Sequence, residues 1–159
     1  MTRPALHWVV YTDGACAPSN PGPSAWGVVL HAPGGHDDAE HHGFIGQGTN
    51  QIAELTAAIE GLRRTPEGAV VELVCDSQYV LKGLSEWRTG WERRGFKNSK
   101  GEVIANLALW KRLFALADAR KVATRWVRGH NGHAHNERAD ELANLALRTK
   151  SGGGKPSPA

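Results

Sequence analysis

The sequence predicts an α/β fold: a five-stranded mixed sheet, three antiparallel strands and then parallel ones, flanked by helices. Three observations predict it. The first third holds short apolar, β-branched runs joined by turn-rich links. Near residue 50 the apolar period changes from strand-like to three- and four-residue steps. Beyond residue 70 strands alternate with helical stretches, which demands crossovers and therefore some parallel pairing.

Trp8–Gly14 is the first strand, rich in β-branched and aromatic residues and ending on Asp13-Gly14. Asp13 is expected at the strand's end or in the turn leaving it, and an isolated Asp-Gly reads as a tight turn. A second strand, Ala25–His31, follows the proline- and glycine-rich segment Gly14–Ser24. A hairpin at Ala32–Asp38 leads to a weaker third strand, His42–Gly46. Ile52, Leu55, Ile59 and Leu62 mark an amphipathic helix over Asn50–Arg64, with Thr49 or Asn50 as its N-cap and Glu54 on the flank of its apolar stripe.

Val70–Cys75 repeats the first pattern, an apolar strand ending on a carboxylate, Asp76. Two strands so terminated point to a site at one edge of the sheet, although Asp76 could instead cap the helix expected over Ser77–Trp87. Asn106–Ala119 is a helix burying Leu109, Trp110, Leu113, Leu116 and Ala117. Val122–Val127 is the last strand, and a loop, Arg128–His135, leads to a final helix, Asn136–Leu147. Residues 1–150 form one domain, and 151–159, rich in Gly, Ser, Pro and Lys, read as a disordered tail.

Composition narrows the function. Hydrophobic residues are 40% and charged residues 22%, the proportions of a globular domain rather than a disordered chain. No apolar run approaches the ~20 residues of a membrane helix, and Met1–Leu6 shows no secretory pattern. The two cysteines, Cys16 and Cys75, form no CxxC pair and are read as reduced thiols of a cytoplasmic protein, which argues against cysteine-held zinc. No protein partner is evident, and a monomer is expected. Net charge is only +3, yet Lys82–Lys100 holds six bases against two acids. A basic segment on a near-neutral body is the footprint of a polyanion.

The acids and amides then fall into an ordered set. Asp13-Gly14, Thr49-Asn50-Gln51 with Glu54, Asp76-Ser77-Gln78-Tyr79, and His130-Asn131-Gly132-His133 through Asn136-Glu137 to Asp140 occur in this order, with the tryptophan-rich basic segment between the last two. Over about Leu6–Leu147 the chain resembles the bacterial type I ribonuclease H family. The resemblance implies a ribonuclease H-like fold and an endonuclease that cuts the RNA strand of RNA–DNA hybrids, leaving 5′-phosphate and 3′-hydroxyl ends. It also implies that Asp13, Glu54, Asp76 and Asp140 hold divalent metal. The chemistry of the residues agrees. Four converging carboxylates without basic partners repel one another unless a cation neutralises them. Oxygen donors without thiolates select Mg2+, with Mn2+ as a substitute, over zinc. Two such ions ~3.5–4 Å apart can activate water and stabilise a departing oxygen. In the assignments carried over, Asp13 bridges the ions, Glu54 and Asp76 complete the first site, and Asp140 serves the second.

By the same resemblance His130 lies beside the scissile phosphate and handles a proton, and Glu137 stands near the attacking water. Asn20, Asn50 and Gln78 touch the RNA strand, where an amide can both donate to and accept from a 2′-hydroxyl. Thr49 meets a DNA phosphate and Gln51 the DNA strand. The loop Ala15–Asn20 is a residue longer than the common family pattern, which leaves the register of Asn20 open. Trp91 among Arg93, Arg94 and Lys97 resembles the family's basic protrusion, with the aromatic on deoxyribose and the cations on DNA phosphates; Trp110 and Trp87 read as core. Phe96 stands where the family often has tryptophan. Two alternatives stay open on the residues alone: another metal nuclease of the same fold, and a silent hybrid-binding module. A zinc site of His130, His133 and His135 is disfavoured, because it recruits no acidic or thiol ligand.

Overall fold

The computed structural model describes residues 7–35, 37–128 and 133–155. Three long strands come first, β1 (Trp8–Cys16), β2 (Gly22–His31) and β3 (Ala39–Gly48), each antiparallel to the next. Helix α1 (Asn50–Leu62) carries the chain across the sheet to β4 (Val70–Cys75), which runs parallel to β1. Helix α2 (Gln78–Lys82), a π-helical segment (Gly83–Trp87) and α3 (Arg88–Arg93) follow, then α4 (Leu107–Asp118). Strand β5 (Lys121–Trp126) lies parallel to β4 at one edge, and α5 (Ala134–Thr149) completes the helices. The sheet is mixed, in the order β5-β4-β1-β2-β3-β6, with β6 (Gly153–Lys155) at the far edge.

The alternation of side chains along a strand divides the core in two. Val10 and Val28 join the larger cluster, with Leu55, Ile59 and Leu62 of α1, Leu73 of β4, and Trp110 and Leu113 of α4. The next residues along, Tyr11 and Val29, face the other way and pack with Ala139 and Leu142 of α5. Helices α1 and α4 thus cover one face of the sheet, and α5 the other. Among the described residues no helix is long and apolar enough to cross a membrane.

Several expectations shift at this level. Asp13-Gly14 is not a turn: β1 continues to Cys16, and Asp13 pairs with Gly27 inside the ladder. The antiparallel partner extends beyond the apolar run, so hydrogen bonding rather than hydrophobicity fixes the strand's end. The single helix expected over Ser77–Trp87 is α2 followed by a π-helical segment. Gly83 there lies against the Trp110 ring, where a side chain could not fit, and the wider π turn accommodates that ring. In α4 the fully buried residues are Trp110, Leu113 and Phe114, while Leu109, Leu116 and Ala117 form the margin of the cluster. At the carboxyl end, residues 153–155 add a sixth strand to β3, opposite Glu40, His41 and His42, where the composition alone reads as an irregular tail. Backbone hydrogen bonds need no apolar side chains, and glycine lets the strand lie close: a Cβ at Gly152 would be 3.0 Å from the His42 carbonyl oxygen.

Candidate active site

Asp13, Glu54 and Asp76 each place a carboxylate oxygen within 4.8 Å of the other two. They come from β1, α1 and the residue just after β4, elements that meet because β1 and β4 are parallel neighbours and α1 crosses between them. With Gly14, Asn50, Ser77 and Asp140 they line an open cleft of about 350 Å³, and among the described residues lining it none is basic. Asp140, on α5, lines the cleft beside them and adds to the upward push on the Asp13 carboxyl. Asn144, one turn further along, donates from Nδ2 to its Oδ1 at 3.2 Å and to its carbonyl at 2.9 Å.

Local contacts explain how each acid is held. Gly14 N–H donates to Asp13 Oδ1 and to Glu54 Oε1, both at 3.0 Å. A Cβ on Gly14 would lie 2.5 Å from the Ala53 carbonyl carbon and from the Glu54 nitrogen. The glycine of the Asp-Gly pair is therefore a notch that admits α1, not the corner of a turn. Ser77 takes the capping role open to Asp76: its Oγ accepts from Val80 N–H at 3.3 Å, and Asp76 lines the cleft. Trp126, which belongs to no motif, donates from Nε1 to the Asp76 carbonyl at 3.2 Å and remains 45% exposed. Only its place on β5, beside β4, brings it there.

The electrostatics follow from burial. Asp13 and Glu54 are 6% and 7% exposed. Burial, and then the charges of Glu54 and Asp76, push the Asp13 carboxyl far above the usual carboxylate range. Glu54 is pushed up by burial first and then by Asp76. The Cys75 thiol, behind the cleft, is also driven up, by burial and then by Glu54, so it stays protonated and is no thiolate ligand.

These residues fit a hard divalent cation. All donors are carboxylate oxygens. Glu54 Oε2 is buried with no hydrogen-bond partner among the described residues, a vacancy in bonding that a cation would fill. Of the histidines weighed for zinc, His130 lies outside the described residues, and His135 Nε2 is engaged by Asp38 Oδ2 at 2.9 Å.

The residues expected to touch substrate fall into two groups. Asn20, Asn50, Gln51 and Gln78 are all exposed. Asn20 Oδ1 accepts from Asn50 N–H at 3.0 Å, so the longer loop brings Asn20 to the start of α1. Thr49 is the N-cap of α1, its Oγ1 accepting from Ile52 N–H at 3.0 Å. The second group lies on the protrusion, where Arg93, Arg94 and Lys97 are exposed. Of the tryptophans there, the one read as core is the more exposed. Trp87 is 37% exposed, whereas Trp91 packs 5.0 Å from the Trp110 ring and 6.3 Å from Phe114. Together with Gly90 and Arg94 they form a shallow groove. Glu137 is exposed on the first turn of α5.

Comparison with known proteins accords with this geometry. The RNase H family profile matches residues 6–148. A ribonuclease H of Methylorubrum extorquens is 49% identical over 159 residues, spanning 97% of this chain and 68% of the relative. One of Marinobacter nauticus is 49% identical over 146 residues, spanning 91% and 96%. Among solved structures, LC9-RNase H1, described as a type 1 RNase H with the type 2 active-site motif, superposes with a TM-score of 0.81 at 31% identity, over 96% of this chain and 76% of that one. RNase H1 of Halobacterium salinarum gives 0.70 at 33%, over 90% and 98%.

Proposed function

The chain belongs to the ribonuclease H family, a family of metal-dependent nucleases, and on that premise we propose that it hydrolyses the RNA strand of RNA–DNA hybrids with two Mg2+ ions, leaving 5′-phosphate and 3′-hydroxyl ends. One observation carries the reading: three carboxylates from three elements, two of them buried, converge within 4.8 Å, with a fourth beside them and no basic residue among the described residues lining the cleft. Asp13, Glu54 and Asp76 would hold one ion, and Asp13 with Asp140 the other. When bound, such ions lower the pKa of a water and stabilise charge on the leaving 3′-oxygen. Mn2+, with the same preference for oxygen donors, would substitute.

The residues of the chain divide the remaining work. Gly14 N–H fixes one oxygen each of Asp13 and Glu54, so the ligands are oriented before substrate arrives. Asn20, Asn50 and Gln78 supply amides to 2′-hydroxyls of the RNA strand, the group that separates RNA from DNA. Thr49 and Gln51 face the DNA strand. On the protrusion Arg93, Arg94 and Lys97 meet DNA phosphates, and the groove floored by Trp87 and Trp91 receives a sugar. His130 hands a proton to the leaving group, a task suited to an imidazole. Replacing His130 by Ala should then slow turnover by roughly 10²-fold without abolishing it; an unchanged rate at every pH would remove the role.

The deciding assay labels each strand in turn and compares RNA–DNA hybrid, duplex RNA and duplex DNA, with magnesium and with chelator. Cleavage confined to the RNA of the hybrid, and only with metal, is the expected result. Equal cleavage of duplex DNA would assign the chain to a different nuclease activity.

A further inference from the structure

We infer that Gly27 is a positioning residue for the reaction: the missing side chain at this point of β2 sets how deeply α5 sits on the sheet, and so where Asp140 stands relative to Asp13. The inference rests on the functional reading above and adds a residue to it. Gly27 is the direct partner of Asp13 in the β1–β2 ladder. Paired residues of an antiparallel ladder present their side chains on the same face. That face is the one α5 covers, since Tyr11 and Val29, two residues away on each strand, pack against Ala139 and Leu142. Beside the Asp13 carboxylate the sheet therefore has a gap, and α5 enters it. A Cβ built on Gly27 would collide with the Ala139 carbonyl oxygen and would lie 2.7 Å from Ala143 N and 2.9 Å from Leu142 Cβ.

Two of the three atoms are helix backbone, so no rotamer change can clear them. Ordinary contacts between nonbonded heavy atoms lie near ~3.5 Å, and a methyl group at 27 would raise this turn of α5 by on the order of 1 Å. Asp140 directly follows Ala139 and must move with it. Asp13, Glu54 and Asp76 hang on β1, α1 and β4 and would stay. The chain thus separates a three-carboxylate cluster, built without α5, from a fourth ligand whose reach is set by one absent side chain. Gly14 plays the matching part for α1 on the opposite face.

The test compares Gly27→Ala with Gly61→Ala and with the pair Gly27→Ala/Asp140→Glu. Gly61 is a control for crowding of the core: its added Cβ would meet side-chain atoms, 2.6 Å from Val10 Cγ1 and 3.0 Å from Thr12 Cγ2, on the face away from α5. Initial rates on hybrid are measured across magnesium concentration, alongside the magnesium-induced rise in melting temperature of the protein alone. Gly27→Ala should lose about 10²-fold in rate, the scale of an ångström misplacement, while keeping most of the magnesium-induced rise. Asp140→Glu, one methylene longer, should lower the rate of the native chain but recover about tenfold in the Gly27→Ala background. Gly61→Ala should lower melting temperature and leave the magnesium dependence of the rate alone. Leu142→Ile, which puts a methyl branch on the Cβ that borders this contact, carries the test if Gly27→Ala does not fold, with the same recovery expected from Asp140→Glu. A cleaving wild type whose Gly27→Ala variant behaves like Gly61→Ala, or an Asp140→Glu that recovers nothing, overturns the inference alone. A wild type that neither answers to magnesium nor cuts hybrid overturns the functional reading and this inference with it.

Discussion

The carboxylate cleft and the basic protrusion are assembled in opposite ways. The cleft draws its acids from β1, α1, the end of β4 and α5, and buries two of them. The protrusion is one continuous stretch from Gly83 to about Val103, whose charged ends stand in water while Trp91 anchors on Trp110 and Phe114 and Trp87 packs against Trp91. Like charges at the protrusion are screened by solvent and salt, so their repulsion is weak. In the cleft they are not, and the folded chain carries that repulsion until a cation arrives. The carboxylate cluster is thus held against its own repulsion by the fold around it, whereas the protrusion is held by its aromatic anchor and depends little on its charges for its shape.

The largest effect should come from breaking the cleft. Asp76→Asn is expected to cut the rate by at least about 10³-fold, a loss on the order of 4 kcal/mol in barrier height, with hybrid binding nearly intact. The same substitution should raise melting temperature in chelator, because one of the charges acting on Asp13 and Glu54 is gone. Wild-type turnover by Asp76→Asn with magnesium would mean the cleft is not the reacting centre.

The protrusion should respond more gently. Replacing Arg93, Arg94 and Lys97 by Ala is expected to weaken hybrid binding on the order of a hundredfold at low salt and to flatten the salt dependence by about 0.9 of a unit per lost phosphate contact. Titrating salt against binding checks it, and an unaltered slope would turn this face away from nucleic acid.

A pH titration of stability separates the two regions further. Asp13 and Glu54 have folded-state pKa values above their unfolded ones, Glu54 from 4.5 up to about 8. The folded chain therefore binds more protons than the unfolded chain across that window. Its stability is fullest below the unfolded values and falls as pH rises toward 8. Thermal melts in chelator should show this decline above about pH 4.5, and saturating magnesium should flatten it. Charge changes on the protrusion should leave it untouched. A metal-free chain whose stability is level from pH 5 to 8 would contradict the buried repulsion.

The smallest effect sharpens the boundary of the cleft. Thr49→Ala removes the cap of α1 and should destabilise by about 1 kcal/mol, visible in urea melts as a shifted midpoint. If Thr49 also meets a DNA phosphate, hybrid affinity falls in addition; a pure change in stability would confine it to capping.

Much of this was legible in the residues, for identifiable reasons. The strands β1 to β5 and the helices α1, α4 and α5 followed from apolar periodicity, which is local, and only their ends moved. Those ends depend on partners such as β2, which carries β1 past Asp13 to Cys16. The four acids were readable because their motifs recur in a fixed order. Phe114 was missed and Trp87 read as core because a helix's periodicity gives its buried face but not how far a neighbour covers its margins. The strand at 153–155 was missed because main-chain pairing leaves little trace in side-chain composition.

By itself the sequence determined the class of fold, the order of its elements, and the kind of chemistry, since clustered acids without thiolates or bases call for a hard cation wherever they meet. The tertiary structure alone decided how near they come. That distance is fixed by close packing between segments far apart in the chain: at Gly14 and Gly27 the absence of one carbon lets a helix settle against the sheet. No local pattern records the depth of such a contact, because it belongs to two surfaces at once.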